Sequence, residues 1–261
     1  RRLRDKAEKL EELLEKRLAF GRKSALREYT ESIGIAVIIA LLLRAFVVEA
    51  FKIPSGSMIP TLKIGDHIFV NKYTYGLRIP LTDIRFFDRM PEHGDVVVFI
   101  YPVEPDKDFI KRVIAVGGDR VRVSDDVVYV NDKAISRRQL KIPCKFVDAD
   151  EENEHFTIEP CIPFEEVHGK HRFRVIQDPA APDFIKSKNM DEVRVPAGHV
   201  FVMGDNRDNS HDGRAWGFVP LTNVKGRAMI IWWSSGDPEG VRWGRFFDRV
   251  HAVPDSRRIF P

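Results

Sequence analysis

Ser55 and Ser57 sit in the stretch PSGSMIPTL (54–62), shortly after a long apolar segment. A serine hydroxyl is a poor nucleophile until a base removes its proton. His67, His199 and His211 lie in contexts that read as surface or capping positions. Lysine is the other accepted partner for a catalytic serine. It must be neutral at working pH, which burial achieves by disfavouring the ammonium. Lowering its pKa by two to three units from ~10.4 costs about 3–4 kcal/mol. Lys111 suits that demand. In DFIKRVIAV (108–116), strand alternation puts Phe109, Lys111, Val113 and Ala115 on one face, so the lysine has apolar neighbours on both sides. On alternation alone, a snorkelling lysine at a sheet edge remains the alternative.

Other chemistries fail on their motifs. The chain has no G-x-x-x-x-G-K-[ST] and no H-E-x-x-H. The residues around Ser57 are not G-x-S-x-G, since Ile59 stands where the second glycine belongs. GDNRDNSHDGR (204–214) has the look of a calcium loop but carries Trp216 where the closing glutamate should be, with Arg207 among the ligands. Two cysteines without a C-x-x-C cannot make a four-ligand zinc site. No metal and no cofactor is expected. A net charge of +3, with basic residues not gathered into a stripe, does not point to nucleic acid.

The elements that must position these residues are mostly strands. HIFVNKY (67–73), DVVVFIY (95–101), FIKRVIAV (109–116), RVRVSDDVVYVN (120–131), HRFRVI (171–176), EVRVPAGHVFVMG (192–204) and GRAMIIWW (226–233) all read as β, with Gly and Pro at the turns. The expected fold is mainly β, a folded-ribbon or barrel-like core. Residues ~136–190 differ, with both cysteines and the acidic run DADEENEH (148–155), and read as an inserted β-rich cap.

Before the strands, Ile33–Leu43 is unbroken apolar sequence, resuming after Arg44 as AFVV. About 16 residues give roughly 24 Å of helix, against a hydrocarbon core of roughly 30 Å. A short transmembrane helix is expected, with Arg44 snorkelling; a buried core helix is the alternative. Ten Lys/Arg in residues 1–28 put that flank in the cytoplasm and the bulk of the chain outside it. Leu3, Ala7, Leu10, Leu14 and Leu18 recur at helical spacing, as an amphipathic helix or a solvated connector. The chain opens on Arg1 rather than methionine, which leaves room for a preceding segment.

In order, the chain shows the apolar anchor, PSGSMIPTL (54–62), GDHIFVNKY (65–73), HGDVVVF (93–99), DFIKRVIAVGGD (108–119) and GDNRDNSHDGRAWGFVP (204–220). Together these blocks closely resemble the bacterial type I signal peptidases, also called leader peptidases. The resemblance covers most of residues 46–233 and is poor over ~124–195. It implies a membrane-anchored serine endopeptidase that removes signal peptides after Ala-x-Ala-like sites. Ser57 would be the nucleophile and Lys111 the general base. The Ser57 N–H and the Ser55 hydroxyl would form the oxyanion hole. Ser210 would orient the Lys111 amine. Asp205, Asp212 and Arg214 would brace their loop by ion pairs, with Arg112 joining from the neighbouring strand. Phe51, Ile53, Pro54, Met58, Leu62, Ile68, Val98, Phe109 and Ile110 would line small apolar pockets. Phe109 stands where the family often shows Tyr.

The implied organisation is a cytoplasmic connector (1–30), a transmembrane helix (31–50), a discontinuous catalytic core (51–123 and 196–247) and the inserted cap (124–195). The implied partners are signal peptides of preproteins, the lipid bilayer and the export machinery, at the bacterial inner membrane with the catalytic part on its outer face. That oxidising side suits a disulfide between Cys144 and Cys161, worth about 3 kcal/mol for a loop of this length. Two other readings compete. A self-cleaving transcriptional repressor would need a helix-turn-helix where this chain has its apolar run. A non-catalytic membrane-anchored β-domain would have no use for Ser55, Ser57, Lys111 and Ser210 in these contexts.

Overall fold

Strand β5 (Val96–Ile100) reads VVVFI without alternation, and four of its five residues are buried. Such a run belongs to a strand covered on both faces. Val96 and Val98 pack with Ile53, Met58, Leu62, Ile68, Val70, Ala228 and Ile231. Val97 and Phe99 pack on the other face with Val113, Val200, Val202 and Val219. In a computed structural model of the chain, β5 is near the centre of the principal sheet. The structure describes residues 2–21, 25–46, 48–78, 85–86, 89–149, 156–179, 189–236 and 239–251.

The remaining strands are β1 (Val48–Lys52), β2 (Asp66–Asn71), β3 (Leu77–Arg78), β4 (Arg85–Phe86), β6 (Asp108–Val116), β7 (Arg120–Ser124), β8 (Val127–Val130), β9 (Lys133–Ala134), β10 (Ser136–Gln139), β11 (Lys145–Ala149), β12 (Phe156–Pro160), β13 (Ile162–His168), β14 (His171–Gln177), β15 (Met190–Arg194), β16 (His199–Met203), β17 (Val219–Pro220), β18 (Val224–Gly236) and β19 (Gly240–Val241). The principal sheet runs β1-β2-β18-β5-β6-β16-β17, with β19 on β18. It is a curled half-barrel. Among the described residues its two end strands are not paired with each other, so the expected barrel is open. Register shifts along β18 mark bulges against β2 and β5, the usual device for bending a long strand.

The chain divides into two compact units, Arg1–Ala45 and Phe46–Pro261. The inserted region lies within the second. Its strands form the sheets β15-β7-β8-β9 and β10-β13-β14 and the hairpin β11-β12. Phe173, Val175 and Ile176 of β14 are buried, and Ile176 bridges Asn206, so this segment is part of the same body as the core. Of DADEENEH, residues 150–155 lie outside the described residues. Cys144 and Cys161 form a disulfide, their Cα atoms 5.0 Å apart, at the base of the β11-β12 hairpin.

Upstream, the leucine spacing produces α1 (Arg2–Gly21). The apolar run lies in α2 (Ala25–Phe46), a helix of 22 residues. Among the described residues, no helix is long and apolar enough to cross a membrane. The expected span of 31–50 is also cut short, because Val48 begins β1 and pairs with Asn71.

Candidate active site

Ser57 occupies a 3-10 turn, Gly56–Met58, between β1 and β2. Ile59 N–H donates to Gly56 O at 3.1 Å, and Leu62 N–H to Met58 O at 2.9 Å. Met58 and Leu62 are fully buried and hold the turn on the core. Pro60 follows across a cis bond. Ser57 is 8% exposed, and its Oγ accepts a hydrogen bond from Lys111 Nζ at 2.6 Å. Ser55, extended just before the turn, brings its Oγ to 3.4 Å from Ser57 Oγ.

Lys111 lies in β6 opposite Val97 of β5. It is 4% exposed, with Nζ 5.3 Å from the centre of the Phe109 ring. The sheet-edge alternative is therefore excluded, since β5 and β16 flank β6 on both sides. Burial pushes the Lys111 amine down to about 8; Asp212 and Asp205 pull against that, and Arg214 adds to it.

The loop after β16 brings up the opposing wall. Gly204 is the point of closest approach. A Cβ there would sit 2.2 Å from Ser210 Oγ and 2.5 Å from the Ser57 carbonyl oxygen, so only glycine lets the loop lie against the Ser57 turn. Asn206 then bonds to that turn directly. Its N–H donates to Ser57 O at 3.1 Å, and its side-chain amide donates to Gly56 O at 3.3 Å. Asp212 caps the short helix α3 (Gly213–Trp216) by accepting from Arg214 N–H. It also accepts from Gly204 N–H at 2.9 Å and from Arg214 Nη2 at 2.8 Å. Burial alone would raise its pKa, but the Arg214 guanidinium and these hydrogen bonds hold it below the usual carboxylate range. Arg112 meets Asp205 with two bonds, Nε to Oδ1 at 2.7 Å and Nη2 to Oδ2 at 2.6 Å, and stacks over Phe173.

Ser210 departs from expectation. Its Oγ is buried and makes no hydrogen bond of good geometry among the described residues. The expected bond to the Lys111 amine is not made, because that amine is turned to Ser57 while Ser210 is wedged against Gly204. Its hydroxyl still lies near enough to the Asp212 carboxylate to help hold that carboxyl low.

Among the described residues, one cluster has the residue types of a metal site: Asp95, His171 and His251, with donor atoms within 4.8 Å of one another. A cation is already there. Arg227 Nε lies 2.9 Å from Asp95 Oδ1 and 3.1 Å from His251 Nε2. A metal ion would have to displace that guanidinium.

The family described as signal peptidase, peptidase S26, matches residues 26–233. Proteins named signal peptidase I match over most of the chain. That of Pseudomonas fluorescens is 38% identical over 235 residues, 84% of this chain and 76% of the relative. That of Pseudomonas aeruginosa is 36% identical, with the same two coverages. That of Rickettsia bellii is 33% identical over 256 residues, 86% of each chain. The chain belongs to the signal peptidase S26 family.

Within this signal peptidase framework, the residues expected to line substrate pockets divide by strand face. Ile53, Met58, Leu62, Ile68 and Val98 are buried in one cluster, with Phe51 and Ile110 packed against it and partly open. Pro54 is exposed. Phe109 points the other way, stacked on Tyr101 with ring centres 4.3 Å apart. Sequence reasoning missed several residues that the structure ties to this candidate site. Thr61 bridges Arg112 and Asp205. Arg207 makes a bidentate pair with Glu166 of β13, at 3.0 and 2.6 Å. Asn209 donates to Asp148 of β11 at 2.6 Å. Arg207 and Asn209 carried a signal, since both lie in the loop that was singled out. Glu166 carried none.

Proposed function

We propose that this protein removes signal peptides from exported preproteins as a serine endopeptidase, with Ser57 as nucleophile and Lys111 as general base. The observation that carries the reading is the 2.6 Å contact between Lys111 Nζ and Ser57 Oγ, made by an amine that burial holds at about 8. As Ser57 Oγ attacks the scissile carbonyl, neutral Lys111 takes the hydroxyl proton. The Ser57 N–H and Ser55 hydroxyl stabilise the oxyanion. The intermediate collapses to an acyl-enzyme, and the Lys111 ammonium returns the proton to the leaving amine. Water then attacks the ester with Lys111 again as base, and Ser57 recovers its proton as the signal peptide leaves. Asp205 and Asp212, each held by an arginine, fix the loop and temper the amine's pKa.

Ile53, Ile68, Val98 and Ile110 close the pockets by bulk, so small residues are selected at the first and third positions before the cut. The apolar run of α2 anchors the chain in the bacterial inner membrane. The support is the exposure of Ile33, Ile35, Val37, Ile38, Ile39 and Leu41, together with the basic flank before them. The catalytic part then faces outward, toward the export machinery. The test is incubation with a secretory precursor carrying Ala-x-Ala, with product masses read by mass spectrometry. Cleavage after the second alanine is expected, and Ile110→Ala should add products cut after Val or Leu. Intact precursor after incubation with folded protein would overturn the reading.

A further inference from the structure

His211 stands in the loop between Ser210 and Asp212, exposed, and belongs to no part of the mechanism above. Its Nε2 lies 2.9 Å from the hydroxyl of Tyr101, which follows β5 and is 5% exposed. Tyr101 is itself fixed. Its ring lies parallel to Phe109 with an interplanar angle of 3°, and meets the edge of Trp216 at 5.6 Å. Phe109 in turn lies beside the Lys111 amine. A continuous path of contacts therefore runs from the loop, through two stacked rings, to the base.

The loop's bonds to neighbouring elements hold the half nearer Gly204, while Asp212 closes the far half back onto Gly204 N–H and Arg214. Asn206 bonds to the Ser57 turn, Arg207 to Glu166, and Asn209 to Asp148. Beyond Ser210, the His211–Tyr101 bond ties the loop to the strand layer that carries Lys111. We propose that Tyr101 and His211 are a positioning pair for catalysis. They hold the Ser210–Asp212 segment against β5 and β6, so that the stacked rings keep water from the Lys111 amine. Neither residue touches the reacting atoms. Loosening the pair admits water to the amine, restores part of its lost solvation and favours the ammonium.

The inference rests on Lys111 as base, so Lys111→Ala is assayed in parallel. If Lys111→Ala cuts precursor, that reading has failed, whatever the pair does. Given an inactive Lys111→Ala, the pair is tested by Tyr101→Phe, His211→Ala, the double variant and His211→Gln, which retains an acceptor for the tyrosine hydroxyl. One hydrogen bond of ordinary strength corresponds to about 2- to 12-fold in rate. Each single change should lower single-turnover cleavage by about that much and move the acid limb of the pH–rate profile to higher pH. The double variant should lose no more than the worse single, since one bond is counted once. His211→Gln should retain most of the activity. Parent-like rates and pH profiles in Tyr101→Phe and His211→Ala, or losses that multiply in the double variant, would overturn the proposal. Thermal melts check that the variants are folded; a lower melting temperature with an unmoved pH profile would mark the pair as structural only and also count against it.

Discussion

As the proposed base, Lys111 meets two opposed demands: it must be neutral, yet it lies beside two aspartates that favour its ammonium. Burial prevails, leaving the amine at about 8. Activity limited by chemistry should therefore rise as pH increases through about 8, since only the unprotonated amine accepts the Ser57 proton. Single-turnover cleavage measured across that range checks this; a rate independent of pH would contradict it. Gly204 makes the complementary argument about space. Gly204→Ala puts a methyl where Ser210 Oγ and the Ser57 carbonyl already lie, and both are held by the surrounding loop. The turn must move, and displacements of about 1 Å can cost about 100-fold in rate. We expect a loss of that order in a variant whose melting temperature falls only modestly.

The β13-β14 hairpin supports the loop 204–214 through the Arg207–Glu166 pair. Glu166 is 2% exposed and Arg207 4% exposed, so each neutralises a charge that water cannot reach. Removing one partner of such a pair typically costs about 3–5 kcal/mol. Glu166→Ala should show that loss in urea unfolding, together with reduced cleavage; a change below about 1 kcal/mol would show that the pair does not brace the loop. This element was also the least legible in the sequence. Ser57, Lys111 and the loop 204–214 could be read because each sits in a short stretch whose residue types state a chemistry or a period. Phe109 and Lys111 share a strand face, as alternation requires, with the amine 5.3 Å from the ring centre. Glu166 and Tyr101 act on the loop across separations of 41 and 110 residues, where no local pattern marks them. The region's cysteines and acidic run read as an inserted cap, and no local pattern marked Glu166, Phe173 and Ile176 as the side chains it buries. For Ser210 the residue was legible and its hydrogen bond was not, because a hydroxyl's partner depends on rotamer and packing.

Across the whole molecule, Asp95 after the first strands, His171 in the hairpin and His251 near the chain's end meet around Arg227. Burial, with help from Arg227, pushes the His251 imidazole down to about 3 from an ordinary 6.5. Above pH 6.5 it is neutral both folded and unfolded and does not affect stability. Between 6.5 and about 3 only the unfolded chain takes up the proton, so stability falls as pH drops. Melting temperatures between pH 7 and 4 should decline, and less steeply in His251→Gln; identical slopes would remove His251 from the account. The central claim is that the buried amine of Lys111 activates Ser57, and the most direct measurement is single-turnover cleavage of an Ala-x-Ala precursor by Lys111→Met. Methionine fills the same apolar slot without a proton acceptor of use, so the fold should survive. The account predicts a rate reduced by about 10⁴-fold or more, matching Ser57→Ala to within experimental background. A folded Lys111→Met protein cutting within tenfold of the parent would contradict it.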